Sequence, residues 1–231
     1  MGARQQGAAA LVCLCLMAAC GGDRAPTGVN GPSSPVIPSV ESSTGATPTT
    51  PPAVSIEQAR PIEAGALREG VYLSDPLSPR AVFRLEDGWE ATRVDADSVD
   101  LRRKGIRLVF ARPAAVFGPD RVPVDDMLAA RVILALAPNR ALDLGAAAAT
   151  EVGGDPGFRL TIDPVGGQGV EVFEVEGGTF RLEPGEESVF WILNTRPGPF
   201  VIATAGREED LDASLPIIER LVAGLEIGSG P

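Results

Sequence analysis

Beyond about residue 56, hydrophobic and polar side chains alternate over short stretches more often than they recur at helical spacing. The stretch 81–85 shows this before the turn-forming pair Asp87-Gly88, and the stretch 158–163 shows it most regularly. The stretch 98–111 alternates on both sides of Lys104-Gly105, which predicts a hairpin. Because successive side chains of a β-strand point to opposite faces, these stretches predict strands with one solvated face.

Two further segments, 189–193 and 200–205, are almost entirely apolar and are separated by the loop-forming residues 195–199. A strand whose side chains are apolar on both faces is typical of a central position in a sheet that is covered on both sides. We therefore expect these two segments to form central strands.

Helical spacing occurs in two places. Residues Met127 to Leu136 carry Leu128, Val132 and Leu136 four residues apart, with Asp125-Asp126 at the front and Pro138 at the end. Acidic residues favour the positive N-terminal end of a helix, so this pattern predicts a helix over 125–136.

A second apolar stripe runs from Leu211 to Leu225, with Glu208-Glu209-Asp210 at its front. The spacing predicts a helix with Pro216 in its first turn, where the missing N–H costs little. With the strands, the two helices predict an α+β fold, in which a mainly antiparallel sheet of seven to ten strands has two principal helices packed on it.

The N-terminus has the three-part pattern of a secretory signal over residues 1–19, including twelve consecutive apolar residues from Ala8 to Ala19. The ending Met17-Ala18-Ala19-Cys20 resembles the lipobox of bacterial lipoproteins, although the family most often has Leu where Met17 stands. The resemblance implies that Cys20 is the lipid attachment residue and the mature N-terminus. Cys13 and Cys15 do not follow small residues. An ordinary signal peptide cleaved near Ala19 is the alternative.

Residues 20–55 predict a disordered tether behind the lipidated Cys20, since 7 of the 35 residues from Gly21 to Ser55 are proline and only three are charged. Residues 56–231 are expected to form a single globular domain. On this interpretation, the lipid on Cys20 holds the protein on the cell membrane or the outer membrane, facing outside the cytoplasm.

Composition excludes several kinds of chemistry. The chain carries a formal charge of −11, which disfavours nucleic acid as a partner. It has no His, and its three Cys all lie in the first 20 residues, so the mature domain can hold neither a Ser-His-Asp triad nor a thiolate nucleophile nor a zinc ribbon. No cofactor is predicted.

The charged clusters have structural interpretations. Residues Asp95 to Asp100 begin like a calcium loop, but Asp100 stands where glycine is needed and Ile106 where a bidentate glutamate is needed, so a solvated loop is predicted and no metal site. Glu186-Glu187 follows a turn, and Arg102-Arg103-Lys104 is interpreted as a solvated hairpin end.

Trp191 lies inside an apolar run and is predicted to be a core residue. Trp89 follows Asp87-Gly88 and has two interpretations, a core residue that anchors the turn or an aromatic residue at the rim of a ligand-binding cleft.

In the order of its segments, the chain resembles uncharacterised lipid-anchored proteins of actinobacteria and similar bacteria. These segments are Tyr72, Pro79 to Trp89, a hairpin, a helix at 125–136, Glu151 to Phe158, and a closing strand and helix over 200–225. The opening from Pro79 to Trp89, a proline followed by an apolar strand and Gly-Trp, is together with the long C-terminal helix also similar to PsbP-like domains. The resemblance implies an α/β/α sandwich with an antiparallel sheet and a binding or accessory role.

Together these features predict a membrane-anchored extracytoplasmic lipoprotein with a non-catalytic domain that binds an unidentified ligand or envelope protein. Two alternatives stay open, a small carboxylate-dependent hydrolase of envelope material and a structural envelope spacer.

Overall fold

The computed structural model describes residues 59–196 and 198–228, so the predicted signal, Cys20 and the tether lie outside the described residues. This part of the chain forms seventeen strands and two helices. In chain order they are β1 Arg60–Pro61, β2 Gly65–Leu67, β3 Gly70–Ser74, β4 Arg80–Leu85, β5 Trp89–Val94, β6 Ser98–Arg103, β7 Ile106–Ala111, β8 Ala115–Phe117, β9 Arg121–Pro123, α1 Ala129–Leu136, β10 Leu142–Leu144, β11 Ala148–Val152, β12 Asp155–Pro164, β13 Val170–Val175, β14 Gly178–Leu182, β15 Glu186–Asn194, β16 Pro199–Arg207, α2 Glu208–Ala223 and β17 Glu226–Gly228.

Nine strands form a central sheet in the order β10-β12-β15-β16-β7-β6-β5-β2, with β11 also pairing with β12. The two long strands β15 and β16 lie side by side inside this sheet. Their residues 188–193 and 199–206 are all buried, because both faces of these strands are covered. The prediction of two central strands is confirmed.

Each face of the central sheet is covered by one helix and one four-stranded sheet. On one face lie α2 and the sheet β1-β3-β4-β17, and on the other lie α1 and the sheet β14-β13-β8-β9. Within the described ranges, β1 with β3 is the one parallel pair. The α+β prediction is confirmed, but the two small sheets were not predicted. Several of their strands have only two or three residues, too few for a visible alternation.

The hairpin predicted over 98–111 is present as β6 and β7. Lys104 and Gly105 form its two-residue turn with φ values of 45° and 81°. Such left-handed backbone matches the twist of the flanking strands and fixes the register of the hairpin. Arg103 therefore pairs with Ile106, and Arg102 pairs with Arg107.

Helix α2 begins at Glu208, and its first turn contains Glu208, Glu209 and Asp210, as predicted. Pro216, however, is the ninth residue of the helix and does not lie in the first turn, so that part of the prediction is wrong. The helix begins at the acidic residues, at least five residues earlier than a first-turn proline requires. Pro216 and Asp212 are exposed, so water can bind the Asp212 carbonyl that the proline leaves without a helical N–H.

Helix α1 begins at Ala129, four residues later than predicted, and no acidic residue lies in its first turn. Asp125 and Asp126 precede it, and Asp126 has a φ of 58°. The first turn is capped instead by Asn194 at the end of β15, whose Oδ1 accepts the Ala129 N–H at 2.7 Å. Neither helix in the described part has the length and apolar character needed to span a bilayer.

The cap from Asn194 is expected to contribute to stability. Replacing Asn194 by Ala removes the acceptor and should lower the free energy of unfolding by about 1 kcal/mol, as the loss of a helix cap does elsewhere. Asn194→Asp keeps an acceptor oxygen and should lower the free energy of unfolding much less. Urea unfolding of both variants measures the difference, and equal losses would contradict a capping role.

A buried hydroxyl offers a second test of the core. Thr204 lies between Leu108 and Val189, is 0% exposed, and its Oγ1 has no hydrogen-bond partner in the described part of the chain. Thr204→Val should therefore raise the free energy of unfolding by about 1 kcal/mol. Ser188 is equally buried but donates its hydroxyl to the Ile162 carbonyl, so Ser188→Ala should be destabilising by a similar amount. Calorimetric melting of the two variants decides this.

Candidate functional site

At the end of the central sheet formed by β5, β6 and β7, one face carries polar side chains. Val99 and Leu101 of β6 point into the core beneath α2, so Asp100 and Arg102 lie on the opposite face. The β13–β14 hairpin covers that face and leaves a cavity of about 70 Å³, which we call the inner cavity. The residues that line it are Thr92, Arg93, Asp100, Leu101, Arg102, Arg107, Val109, Phe173, Val175, Thr179 and Phe180.

An open cleft of about 560 Å³, which we call the outer cleft, shares Arg102 and Arg107 with the inner cavity. It is lined by Gly88, Glu90, Arg102, Arg103, Lys104, Gly105, Ile106, Arg107, Glu183 and Glu186. The inner cavity has room for a few water molecules or one small polar group. The outer cleft has a volume typical of a small-molecule site.

Asp100 is the one acidic side chain among the described residues that line the inner cavity. Burial raises the pKa of its carboxyl; the positive charge of Arg93 opposes this, and the negative charge of Asp95 adds to it. The folded protein therefore holds a proton on Asp100 more tightly than an exposed aspartate would. A carboxyl perturbed in this way inside a cavity is typical of a functional site.

Two arginines tie the β13–β14 hairpin to the sheet. Arg107 donates through Nη2 to the Arg181 carbonyl at 2.8 Å and to Glu186 at 2.6 Å, and its guanidinium carbon lies 5.0 Å from the centre of the Phe180 ring. Arg93 donates to Asp95 and to the Glu176 carbonyl in the turn of the hairpin. Both walls of the inner cavity are thus held together by charged hydrogen bonds.

In the acidic segment 95–100, Asp95 stabilises the loop between β5 and β6, and Asp100 lines the inner cavity. Asp95 accepts the N–H groups of Asp97 at 3.0 Å and Ser98 at 2.7 Å, which closes the loop between β5 and β6. Burial alone would raise the pKa of Asp95, but the hydrogen bonds from Arg93, Ser98 and Asp97 outweigh it and lower the pKa. Only Asp100 reaches the cavity. Nowhere in the described ranges do three or more acidic, His or Cys side chains form a group that could hold a metal ion.

The structure places Trp89 in the core rather than at the rim of a cleft. Its side chain is 2% exposed and packs beneath α2, with the Arg103 guanidinium carbon 5.8 Å from its ring centre. Its neighbours Gly88 and Glu90 line the outer cleft, but the indole points to the opposite face of the sheet. A ligand in the cleft would therefore not contact the ring. Trp191 is a core residue, as predicted.

Of the other acidic clusters, only Glu186 reaches the site, where it binds Arg107 and accepts the Glu183 N–H at 2.8 Å. The sequence patterns did not point to Arg93 or Arg107. The position of Arg107 could have been predicted, because a two-residue turn at Lys104-Gly105 places Arg107 directly opposite Arg102 in the hairpin.

No protein-family model matches the chain, and no curated protein matches it. Among solved structures, it is similar to the solution structure of cyanobacterial PsbP (CyanoP) from Synechocystis sp. PCC 6803, with 11% sequence identity and a TM-score of 0.40. The match covers 74% of this chain and 97% of that chain.

Proposed function

We propose that this chain is a membrane-anchored extracytoplasmic lipoprotein whose domain binds a ligand or partner protein without turning it over. The observation that carries the binding role is the desolvated Asp100 beside Arg93 and Arg107 in the inner cavity. Charged groups that are kept away from water at a cost in stability are expected where they serve recognition or chemistry. The outer cleft, which has the volume of a small-molecule site, shares Arg102 and Arg107 with this cavity.

Binding is favoured over hydrolysis by the arrangement of the acids. A glycoside hydrolase needs two carboxyl groups about 5–9 Å apart on either side of the scissile bond. Within the described residues that line the inner cavity, Asp100 has no acidic partner, and the cavity is too small for a sugar ring. Glu186 in the outer cleft is bound to Arg107, which occupies one of its two carboxylate oxygens. A hydrolase remains the alternative, with Asp100, whose pKa is raised by burial, as the acid of the inner cavity.

Attachment to a membrane is supported by the sequence alone. Ala18-Ala19 before Cys20 fits the small-residue requirement of lipoprotein processing, and the apolar run of twelve residues rises about 18 Å as a helix, which is short of a hydrocarbon core of about 30 Å. Acyl chains on one cysteine supply about 0.8 kcal/mol per buried methylene group. A lipid at Cys20 would therefore keep the domain at the surface of its membrane.

Cys20→Ala is expected to abolish lipid attachment and to release the protein from the membrane fraction or leave it as precursor. Metabolic labelling with a palmitate analogue measures this directly. Cys15→Ala provides the matched control, since Cys15 follows Leu14 and should not be the modified residue. Label that persists on Cys20→Ala, or that disappears from Cys15→Ala, would contradict the assignment.

Asp100→Asn should raise the free energy of unfolding near neutral pH, because asparagine has no charge to desolvate. The raised pKa of Asp100 means that the penalty on the folded state exists where the carboxyl is ionised and disappears where it is protonated. The gain should therefore be full near neutral pH, shrink as the pH falls through the raised pKa, and be lost once the pH is below the unfolded value of about 4. Urea unfolding across pH, with the exposed Asp120→Asn as control, measures it.

The same variant separates binding from turnover. Wild-type protein incubated with glycosides and esters of envelope type should yield no product. Turnover in wild type that is lost in Asp100→Asn, with the fold intact, would replace the binding function by the hydrolase. A protein that neither binds nor converts any compound would favour the spacer.

A further inference from the structure

We propose that Arg102 and Arg107, which line both the inner cavity and the outer cleft, together bind an oxyanion, the carboxylate or phosphate group of a ligand. The inference rests on the proposed function, because it names the chemistry of the ligand that this site would take.

The register of the β6–β7 hairpin brings the two arginines together. Arg102 and Arg107 are direct cross-strand partners, and both line the inner cavity and the outer cleft, so the two positive side chains share one face. Like charges placed directly opposite each other destabilise an antiparallel pair. An anion between the two guanidinium groups converts this repulsion into two attractive contacts.

The two arginines differ in how firmly they are held. Arg107 is fixed by the Arg181 carbonyl, by Glu186 and by the Phe180 ring. Arg102 is exposed and makes no ion pair within the described part of the chain, although Glu90 is its other cross-strand partner. One preorganised guanidinium beside one free to close on a ligand is an arrangement suited to planar, bidentate recognition of carboxylate or phosphate.

The charges around the pair favour a small anionic group. Arg103 lines the outer cleft, but its guanidinium lies over the Trp89 ring on the opposite face of the sheet. The other cationic side chains of the cleft are Arg102, Lys104 and Arg107, against three acids, in a chain whose formal charge is −11. Of these acids, Glu186 is held by Arg107 and Glu183 by Arg181 at 3.5 Å. Lys104 in the exposed turn adds a further cation to the cleft. A single oxyanion meets this local positive charge, whereas a long polyanion would also meet the repulsive field of the acidic surface.

The test is the thermal unfolding of the full chain with inorganic phosphate or acetate, at ionic strength held constant with sodium chloride. Phosphate, acetate or both should raise the Tm with a saturating dependence on concentration. The more effective anion identifies the group, phosphate or carboxylate. Arg102→Gln should weaken the apparent affinity about tenfold or more, the effect of losing a charge-assisted hydrogen bond. Arg84→Gln, an exposed arginine of β4, should leave it unchanged.

A charge reversal gives a readout that a purely structural role would not produce. Arg102→Glu places an acid opposite Arg107 but also opposite Glu90, so the new attraction and the new repulsion offset each other. The Tm without added anion should change little, while the response to phosphate and acetate disappears. An intact anion response in this variant would overturn the proposal.

The proposal is also overturned if neither anion raises the Tm of the wild-type protein above the chloride reference, or if Arg102→Gln responds as wild type does. Its failure can be distinguished from failure of the proposed function. Binding of an uncharged ligand without an anion effect would remove the oxyanion site and leave a binding domain. Hydrolysis of a substrate with the anion effect intact would remove the binding function and leave the site.

Discussion

The structure depends on the pairing of β15 with β16. Their side chains are apolar in both directions, so the sheet that contains them has to be covered on both faces. Along β15, Trp191 and Leu193 enter the core cluster beneath α2, while Phe190 and Ile192 enter the cluster beneath α1. This requirement accounts for one helix and one small sheet on each side. The need for an apolar cover is weaker at β5, β6 and β7. There the face beneath the β13–β14 hairpin is polar, and the inner cavity lies between the sheet and the hairpin.

The β13–β14 hairpin joins the domain by two kinds of contact. Phe173 and Phe180 stack at 4.8 Å between ring centres, and both meet Phe190 of the central sheet edge-on, which anchors the middle of the hairpin in the core. Its turn is held instead by Arg93 through the Glu176 carbonyl. The candidate site therefore lies where an apolar interface gives way to a polar one, and its position follows from the incomplete cover of the sheet.

Sequence pattern was sufficient for the elements whose signal is local. The alternation of 98–111, the apolar stretches 189–193 and 200–205 and the stripe of α2 were found where they were expected. Features set by distant residues could not be predicted in this way. The start of α1 depends on Asn194, which is 65 positions away from Ala129. The burial of Asp100 depends on a hairpin that begins at residue 170, so the alternation of 98–111 could place the aspartate on the polar face of a strand but could not show that this face is covered.

The cap on α1 also has a consequence for how the chain folds. A helix of eight residues is too short to persist by itself in water, and its first turn here is completed by a side chain of the central sheet. α1 can therefore consolidate only after β15 has reached its place, which puts it among the late, non-local events of folding. In the native state, its amide hydrogens should open to exchange with solvent whenever the end of β15 detaches, without unfolding of the sheet as a whole.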